Sequence, residues 1–151
     1  MLKITYTRYS MLFNVAAIAS LLAVANARIV GFAVPETIAP GATVAATVLT
    51  ENYIQAVYDV AIVFGYAHGD GWPNSLGSVL SSSYLGPDES NVTHNITRSI
   101  TIPAGTPKGD ALISASLYSL YGAVYGPTIT NFNVSVTIGD ETSPVLKSST
   151  F

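Results

Sequence analysis

The residues that could support metal or acid–base chemistry are few and scattered. The 151-residue chain contains two histidines, His68 and His94, and no cysteine. His68 precedes Asp70 in a His-Gly-Asp-Gly segment, but the ligand spacing of a known type of metal site is not present. Asp and Gly are the residues that tight turns require, so this segment is more simply a turn. The sequence therefore predicts neither a metal site nor a cofactor.

Covalent catalysis has no visible machinery either. Serines are plentiful, but no G-x-S-x-G elbow surrounds any of them, and the chain offers no cysteine nucleophile. The carboxylates are spread along the chain without a paired arrangement. We therefore predict that the protein is not an enzyme. A hydrolase that joins His68 or His94 to two carboxylates in space remains as an alternative.

Aromatic residues form the surplus that could bind a partner. Trp72 lies in a glycine-rich loop, Tyr66 borders that loop, and three further tyrosines surround a turn. Exposed Tyr and Trp on loops suit contact with a protein or a sugar. The alternative is that these rings close the ends of the core. The candidates for partner binding are Tyr66, Trp72, Tyr118, Tyr121 and Tyr125.

Three N-glycosylation sequons are present, Asn91-Val92-Thr93, Asn95-Ile96-Thr97 and Asn133-Val134-Ser135. The second and third begin on the outward phase of predicted strands, where a glycan could project. The alternative is chance occurrence in a chain rich in Asn, Ser and Thr. We predict a glycan on at least one of Asn91, Asn95 and Asn133.

The first 27 residues have the pattern of a secretory signal peptide. Lys3 and Arg8 give a basic start, residues 11–25 form an apolar run, and Ala25-Asn26-Ala27 is a small-residue cleavage site. The run is too short for a transmembrane anchor. We predict that cleavage after residue 27 releases a secreted domain over residues 28–140, followed by a polar, frayed tail over residues 141–151.

The charge of the released chain excludes some classes of partner. Four basic residues (Arg28, Arg98, Lys108 and Lys147) stand against nine acidic residues, a formal net charge of −5. This balance argues against binding to nucleic acid or to anionic membrane surfaces. No second apolar run is long enough to span a bilayer. The expectation is a secreted, soluble domain without nucleic-acid binding or membrane insertion.

Alternation of apolar and polar residues predicts strands through most of the mature chain. Strands are expected at residues 29–34, 43–50, 57–66, 95–102, 111–120 and 128–138, and the segment 76–85 is ambiguous. In the third strand, one face is expected to carry Tyr58, Val60, Ile62, Phe64 and Tyr66. The corner at residues 103–110 is rich in Pro and Gly and is expected to cross between two sheets.

About seven strands and no helix after the signal peptide predict an all-β fold. The best fit is an antiparallel β-sandwich of immunoglobulin-like or fibronectin-like type, although the Cys…Trp…Cys pattern of antibody domains is missing.

Several short segments also resemble a known family. They are residues 28–32 (RIVGF), 35–41 (PETIAPG), 64–66 (FGY), 85–86 (LG) and the corner 102–109 (IPAGTPKG). Together with the signal peptide, they make the chain similar to the necrosis-inducing secreted proteins of plant-associated fungi.

The resemblance implies a secreted effector that induces plant cell death and suppresses pattern-triggered immunity. Its implied partners are host receptor-like kinases and their cytoplasmic partner kinases, and it implies no catalytic residue. A chain without cysteine would fold equally well in the reducing host cytoplasm after uptake. The alternative function is a secreted module that binds the cell wall or another carbohydrate, and glycans would then be the partner.

Overall fold

The computed structural model describes residues 26–149, which form strands over most of their length. The elements are β1 (Asn26–Pro35), β2 (Thr37–Ile38), β3 (Thr43–Tyr53), β4 (Val57–His68), β5 (Ser78–Tyr84), α1 (Gly86–Glu89), β6 (Ile96–Thr101), β7 (Gly109–Tyr121), β8 (Gly126–Ile138) and β9 (Leu146–Ser148). The all-β prediction is confirmed, and the ambiguous segment contributes strand β5. Within residues 26–149, no helix has the length and apolar character needed to cross a bilayer.

The strands form two sheets. One has four strands in the order β6-β3-β1-β9, and the other has five in the order β2-β8-β7-β4-β5. The short β2–β8 pair is parallel, and all other pairs are antiparallel. The Pro- and Gly-rich corner leads from β6 in the first sheet to β7 in the second, as predicted.

The two sheets share one hydrophobic core. Phe32 from β1 and Phe64 from β4 meet edge to face across the sheets, with ring centroids 5.3 Å apart. Both rings are fully buried, in a cluster to which β1, β3, β4, β6, β7 and β8 all contribute. Burial of this apolar surface stabilises the fold without any disulfide, because the chain has no cysteine.

The predicted faces of β4 are wrong at the start of the strand. The register against β7 shifts between Asp59 and Ala61, which marks Val60 as the extra residue of a β-bulge. Because a bulge reverses the alternation, Val57 and Asp59 share the buried phase with Ile62. Tyr58 therefore lies on the outer face, and not on the face of Ile62 and Phe64 to which the sequence pattern assigned it.

The expectation of no helix is also wrong, because the described residues include one short helix of a single turn. The structure forms the four-residue helix α1 at residues 86–89. Pro87 starts it, because proline suits the first turn of a helix. Arg98 of β6 makes a bidentate hydrogen bond with the carboxylate of Glu89, the last residue of the helix.

The described part of the C-terminal segment is docked, and the expectation of a frayed tail is wrong there. Residues 146–148 pair with β1 as strand β9. The Ser149 hydroxyl accepts a hydrogen bond from the Phe32 N–H at 3.1 Å, and the Ser143 N–H donates to the Thr37 carbonyl at 2.9 Å. The polar residues of this segment hydrogen-bond to the edge of a sheet, and their composition alone did not predict this docking.

The predicted signal peptide lies almost wholly outside the described residues. Only Asn26 and Ala27 are described, and both belong to β1, so the predicted cleavage point falls within that strand.

Candidate contact surface

An exposed row of large side chains crosses the outer face of the five-stranded sheet. In β4, Ala61 pairs with Tyr84 on one side and with Tyr118 on the other, and Tyr118 pairs with Ile129 of β8. Tyr84 is 67% exposed, Tyr118 39% and Ile129 68%. We call Tyr84, Ala61, Tyr118 and Ile129 the aromatic row. Its large members therefore retain exposed apolar area that a partner could cover, most of it on Tyr84 and Ile129.

The outer face of the four-stranded sheet has a different character. Across β3 and β6, Thr43 pairs with Thr101, Ala45 with Ser99 and Thr47 with Thr97. These side chains are small, and the first pair is satisfied by a hydroxyl–hydroxyl hydrogen bond of 2.8 Å. Large aromatic side chains supply most of the energy of protein contacts, whereas Thr, Ser and Ala supply little. The five-stranded sheet is therefore the better candidate for a contact surface.

A groove of about 670 Å³ opens beside the aromatic row. Trp72, Leu112 and Ile129 are among its apolar lining residues, and Trp72 is 63% exposed. Its polar lining residues include Asp70 and two cross-strand pairs of β7 and β8, Ser116–Asn131 and Ser114–Asn133. We call this cavity the Trp72 groove. Its volume lies within the range of small-molecule sites, and its mixture of one large ring with amides and hydroxyls is typical of such sites.

Two glycines hold the loop that carries Trp72 against the sheet. A Cβ at Gly65 would lie 2.2 Å from the carbonyl oxygen of Leu76, and a Cβ at Gly77 would lie 2.1 Å from that of Tyr66. Gly77 also has a φ of +73°, which L-residues rarely adopt. Glycine is therefore required at both positions for the loop to approach β4 so closely.

A second concavity, of about 710 Å³, lies toward the opposite end of β4. Tyr58, Leu120 and Tyr125 are among its lining residues, and Tyr125 is 64% exposed. The hydroxyls of Tyr58 and Tyr84 are 2.8 Å apart, so a hydrogen bond connects this concavity with the aromatic row. Aromatic side chains thus extend along the outer face from Tyr125 to Trp72.

The other two aromatic candidates point elsewhere. Tyr121 packs edge to face on Tyr53, with ring centroids 6.0 Å apart, and the Arg28 guanidinium lies 4.6 Å from the Tyr53 centroid. These contacts hold the Tyr121 ring within a cluster formed with β1 and β3. Tyr66 is half-buried against the core, and burial raises the pKa of its hydroxyl. The structure therefore places Trp72, Tyr118 and Tyr125 along one face and separates them from Tyr66 and Tyr121.

A buried carboxylate lies beneath the Tyr125 end of this face. Asp59 is 1% exposed, and its Oδ1 accepts a hydrogen bond of 2.6 Å from the Ser119 hydroxyl. Its backbone N–H donates to the Ser90 hydroxyl, which donates in turn to the Asp59 carbonyl. Burial raises the pKa of Asp59, although the bonds from Ser119 and from the Asn91 backbone oppose the shift. The carboxyl thus bonds to Ser119 of β7, and the backbone of Asp59 bonds through Ser90 to the segment after α1.

The histidines are not brought together. His68 ends β4, whereas His94 lies close enough to Glu89 to help lower the pKa of that carboxyl, after the larger effect of the Arg98 hydrogen bond. The segment after α1 is bonded to Asp59, about 30 Å along β4 from His68 at the rise of an extended strand. In residues 26–149, no three His, Asp or Glu side chains gather as metal ligands.

The three sequon asparagines occupy different settings. Asn91 is half-buried, with a φ of +56°, and its side chain bonds to the Ala27 N–H and to Asn26. Asn95 is exposed and accepts a hydrogen bond from the Thr50 N–H at 3.1 Å. Asn133 is exposed and lines the Trp72 groove. Whether a glycan occupies any of them stays a prediction.

Sequence reasoning missed Ile129 and Tyr58 as members of this face. Ile129 carried a signal, because it is the apolar residue on a phase of β8 that otherwise holds Asn131, Asn133, Ser135 and Thr137. An apolar side chain among the solvent-facing residues of a strand indicates an interaction surface. Tyr58 carried none, because only the bulge at Val60 turns it outward.

Comparison with known proteins identifies the family. The Nis1 family model matches residues 25–137. Necrosis-inducing secreted protein 1 of Colletotrichum higginsianum is 53% identical over 131 residues, which cover 86% of this chain and 91% of that protein. The protein of the same name from Colletotrichum orbiculare is 49% identical, over 93% of this chain and 87% of its own length.

One solved structure shows a weak likeness. It is a superoxide reductase (neelaredoxin) from Ignicoccus hospitalis, with a TM-score of 0.45 and 11% identity over 76% of this chain and 80% of that one. A likeness at this level carries no argument about activity, whereas the agreement of the family model with two close relatives over most of the sequence does establish kinship. The chain therefore belongs to the Nis1 family of necrosis-inducing secreted proteins.

Proposed function

We propose that this secreted chain induces plant cell death and suppresses pattern-triggered immunity by binding host receptor-like kinases and their cytoplasmic partner kinases. The kinase partners come from the family resemblance. We propose further that the protein acts by contact and not by catalysis, and that contact with the cytoplasmic kinases follows uptake into the host cell.

The observation that carries the contact mechanism is the aromatic row. Tyr118 of β7 has Ile129 beside it on the adjacent strand β8. Tyr84 of β5 lies on its other side, beyond Ala61 of the intervening strand β4. The three large side chains lie on a sheet whose backbone is already ordered, so binding adds no cost for ordering a loop. Large aromatic anchors of this kind dominate the energy of protein interfaces.

The test is association of the secreted chain with purified receptor-like and cytoplasmic kinase domains, together with cell death in leaf tissue. Tyr118→Ala is expected to weaken association by tenfold or more, about 1.4 kcal/mol. Ser99→Ala, an exposed change on the four-stranded sheet, is the matched control and is expected to leave association unchanged.

Two results would contradict the proposal at different points. If the unaltered chain binds neither class of kinase domain, the partners are wrong. If it binds but Tyr118→Ala binds equally well, with an unchanged unfolding midpoint, the partners stand and the aromatic row is the wrong surface.

A further inference from the structure

The Trp72 groove has the chemistry of a saccharide site. A pyranose ring has apolar C–H faces and a rim of hydroxyl groups. Its face can pack on an indole such as that of Trp72, and its hydroxyls can exchange hydrogen bonds with amides and hydroxyls such as those of Asn131 and Ser116. A groove of about 670 Å³ also has room for more than one sugar ring.

A point of sugar attachment lies within this groove. Asn133 is one of its lining residues, and Asn133-Val134-Ser135 is an N-glycosylation sequon. Asn133 pairs with Ser114 across β7 and β8, and both side chains line the groove. A sugar joined to Asn133 therefore starts inside the cavity and needs no long tether to reach Trp72.

We propose that the Trp72 groove is occupied by the protein's own N-glycan, attached to Asn133 and packed against Trp72. In the attachment step, the amide nitrogen of Asn133 bonds to the anomeric carbon of a polyprenyl-diphosphate-linked oligosaccharide. The bond from that carbon to the diphosphate breaks, the polyprenyl diphosphate leaves, and the amide nitrogen loses one proton to the transferase. Members of the family are named secreted proteins, and the secretory route is where such donors act.

The single tryptophan makes the proposal directly measurable. Trp72 is the one tryptophan of the chain, so emission excited at the long-wavelength edge of the indole band, where the nine tyrosines do not absorb, reports on the groove. The protein is produced by secretion from eukaryotic expression cells, and the occupancy of Asn133 is determined by peptide mass mapping. The emission maximum and acrylamide quenching of Trp72 are then compared with those of the same sequence made in bacteria, which carries no glycan.

Three variants separate the glycan from its anchor. Ser135→Ala abolishes the sequon but keeps Asn133, and Asn133→Gln removes the anchor itself. Asn95→Gln removes a sequon of the other sheet and is the matched control. We expect quenching to rise roughly twofold and emission to shift to longer wavelength in the two groove variants and in the bacterial protein, because a sugar packed on one face of the indole covers about half of the area that is otherwise exposed. The control is expected to match the secreted wild type.

The proposal is overturned if Asn133 carries no glycan. It is also overturned if Asn133 is glycosylated but the fluorescence of Trp72 is the same with and without the glycan. A third adverse result is an empty Asn133 together with an emission change on adding chitin or glucan oligosaccharides, which would make the groove a site for free wall saccharide. No host protein enters these measurements, so their outcome is independent of the kinase proposal.

Discussion

Gly65→Ala tests whether close backbone approach is what places Trp72 on the sheet. The added Cβ would stand 2.2 Å from the Leu76 carbonyl oxygen, and real Cβ contacts are essentially never below 3.0 Å, so the loop must move by at least 0.8 Å. The Leu76 backbone cannot yield easily, because its neighbour Gly77 is itself packed on the Tyr66 carbonyl. Overpacking of this kind costs about 1–3 kcal/mol.

Urea unfolding and Trp72 emission measure the two ways in which Gly65→Ala can be accommodated. A loss of about 2 kcal/mol lowers the urea midpoint by about 1 M at a typical m value. If the loop instead lifts from β4, the loss of stability is smaller and the emission of Trp72 changes. Gly105→Ala is the control, because its Cβ would meet nothing within 4 Å. If Gly65→Ala matches Gly105→Ala in both midpoint and emission, the close approach does not hold the loop.

Three further predictions concern the framework of the fold. Burial raises the pKa of Asp59 above its ordinary value of 3.8, so the folded state holds a proton more tightly than the unfolded chain does. Stability should therefore fall as pH rises from about 4 through the raised pKa, by about 1.4 kcal/mol per unit of elevation. Asp59→Asn should abolish this slope and unfold at higher urea than wild type at pH 7; a variant with the wild-type pH profile would contradict the assignment. The pKa of Glu89 is lowered from 4.5, first by its hydrogen bond to Arg98, so its contribution is present above that pH and is lost as pH falls through the lowered value. Because the pair is partly exposed, Glu89→Gln should cost at most about 1 kcal/mol at pH 7 in urea unfolding, and a larger loss would show that the pair does more than join α1 to β6. Phe32→Ala removes one ring of the edge-to-face pair with Phe64 and should cost about 3–5 kcal/mol, against little change in Ser99→Ala.

The strands could be predicted because their signal is local. In β8, buried Phe132, Val134 and Val136 alternate with exposed Asn133 and Ser135. The period of two in the sequence is therefore also found in the sheet. The corner between β6 and β7 was predictable for the same reason, since prolines and glycines act on their own neighbours.

What failed depends on residues far apart in the chain. The docking of β9 joins Leu146 to Pro35, and nothing in the polar composition of the tail specifies that partner. The bulge at Val60 arises from the register of β4 against β7 and reverses the phase of Tyr58 without a glycine or proline to announce it. The contact surface was hard to predict for the same reason, because the position of Trp72 on the sheet depends on long-range contacts such as that of Leu76 with Gly65.

The glycan proposal and the kinase proposal constrain each other on one face of the sheet. A saccharide in the Trp72 groove covers that end of the outer face, including the side of the aromatic row at which Ile129 lines the groove. The area left for a host protein then runs from Tyr118 through Tyr84 and Tyr58 to Tyr125. If both proposals hold, Tyr125→Ala should weaken kinase binding, whereas Trp72→Ala should leave it unchanged in the glycosylated protein. Equal losses in the two variants would mean that host protein and glycan compete for the groove, and binding should then be stronger to the bacterial protein than to the secreted one.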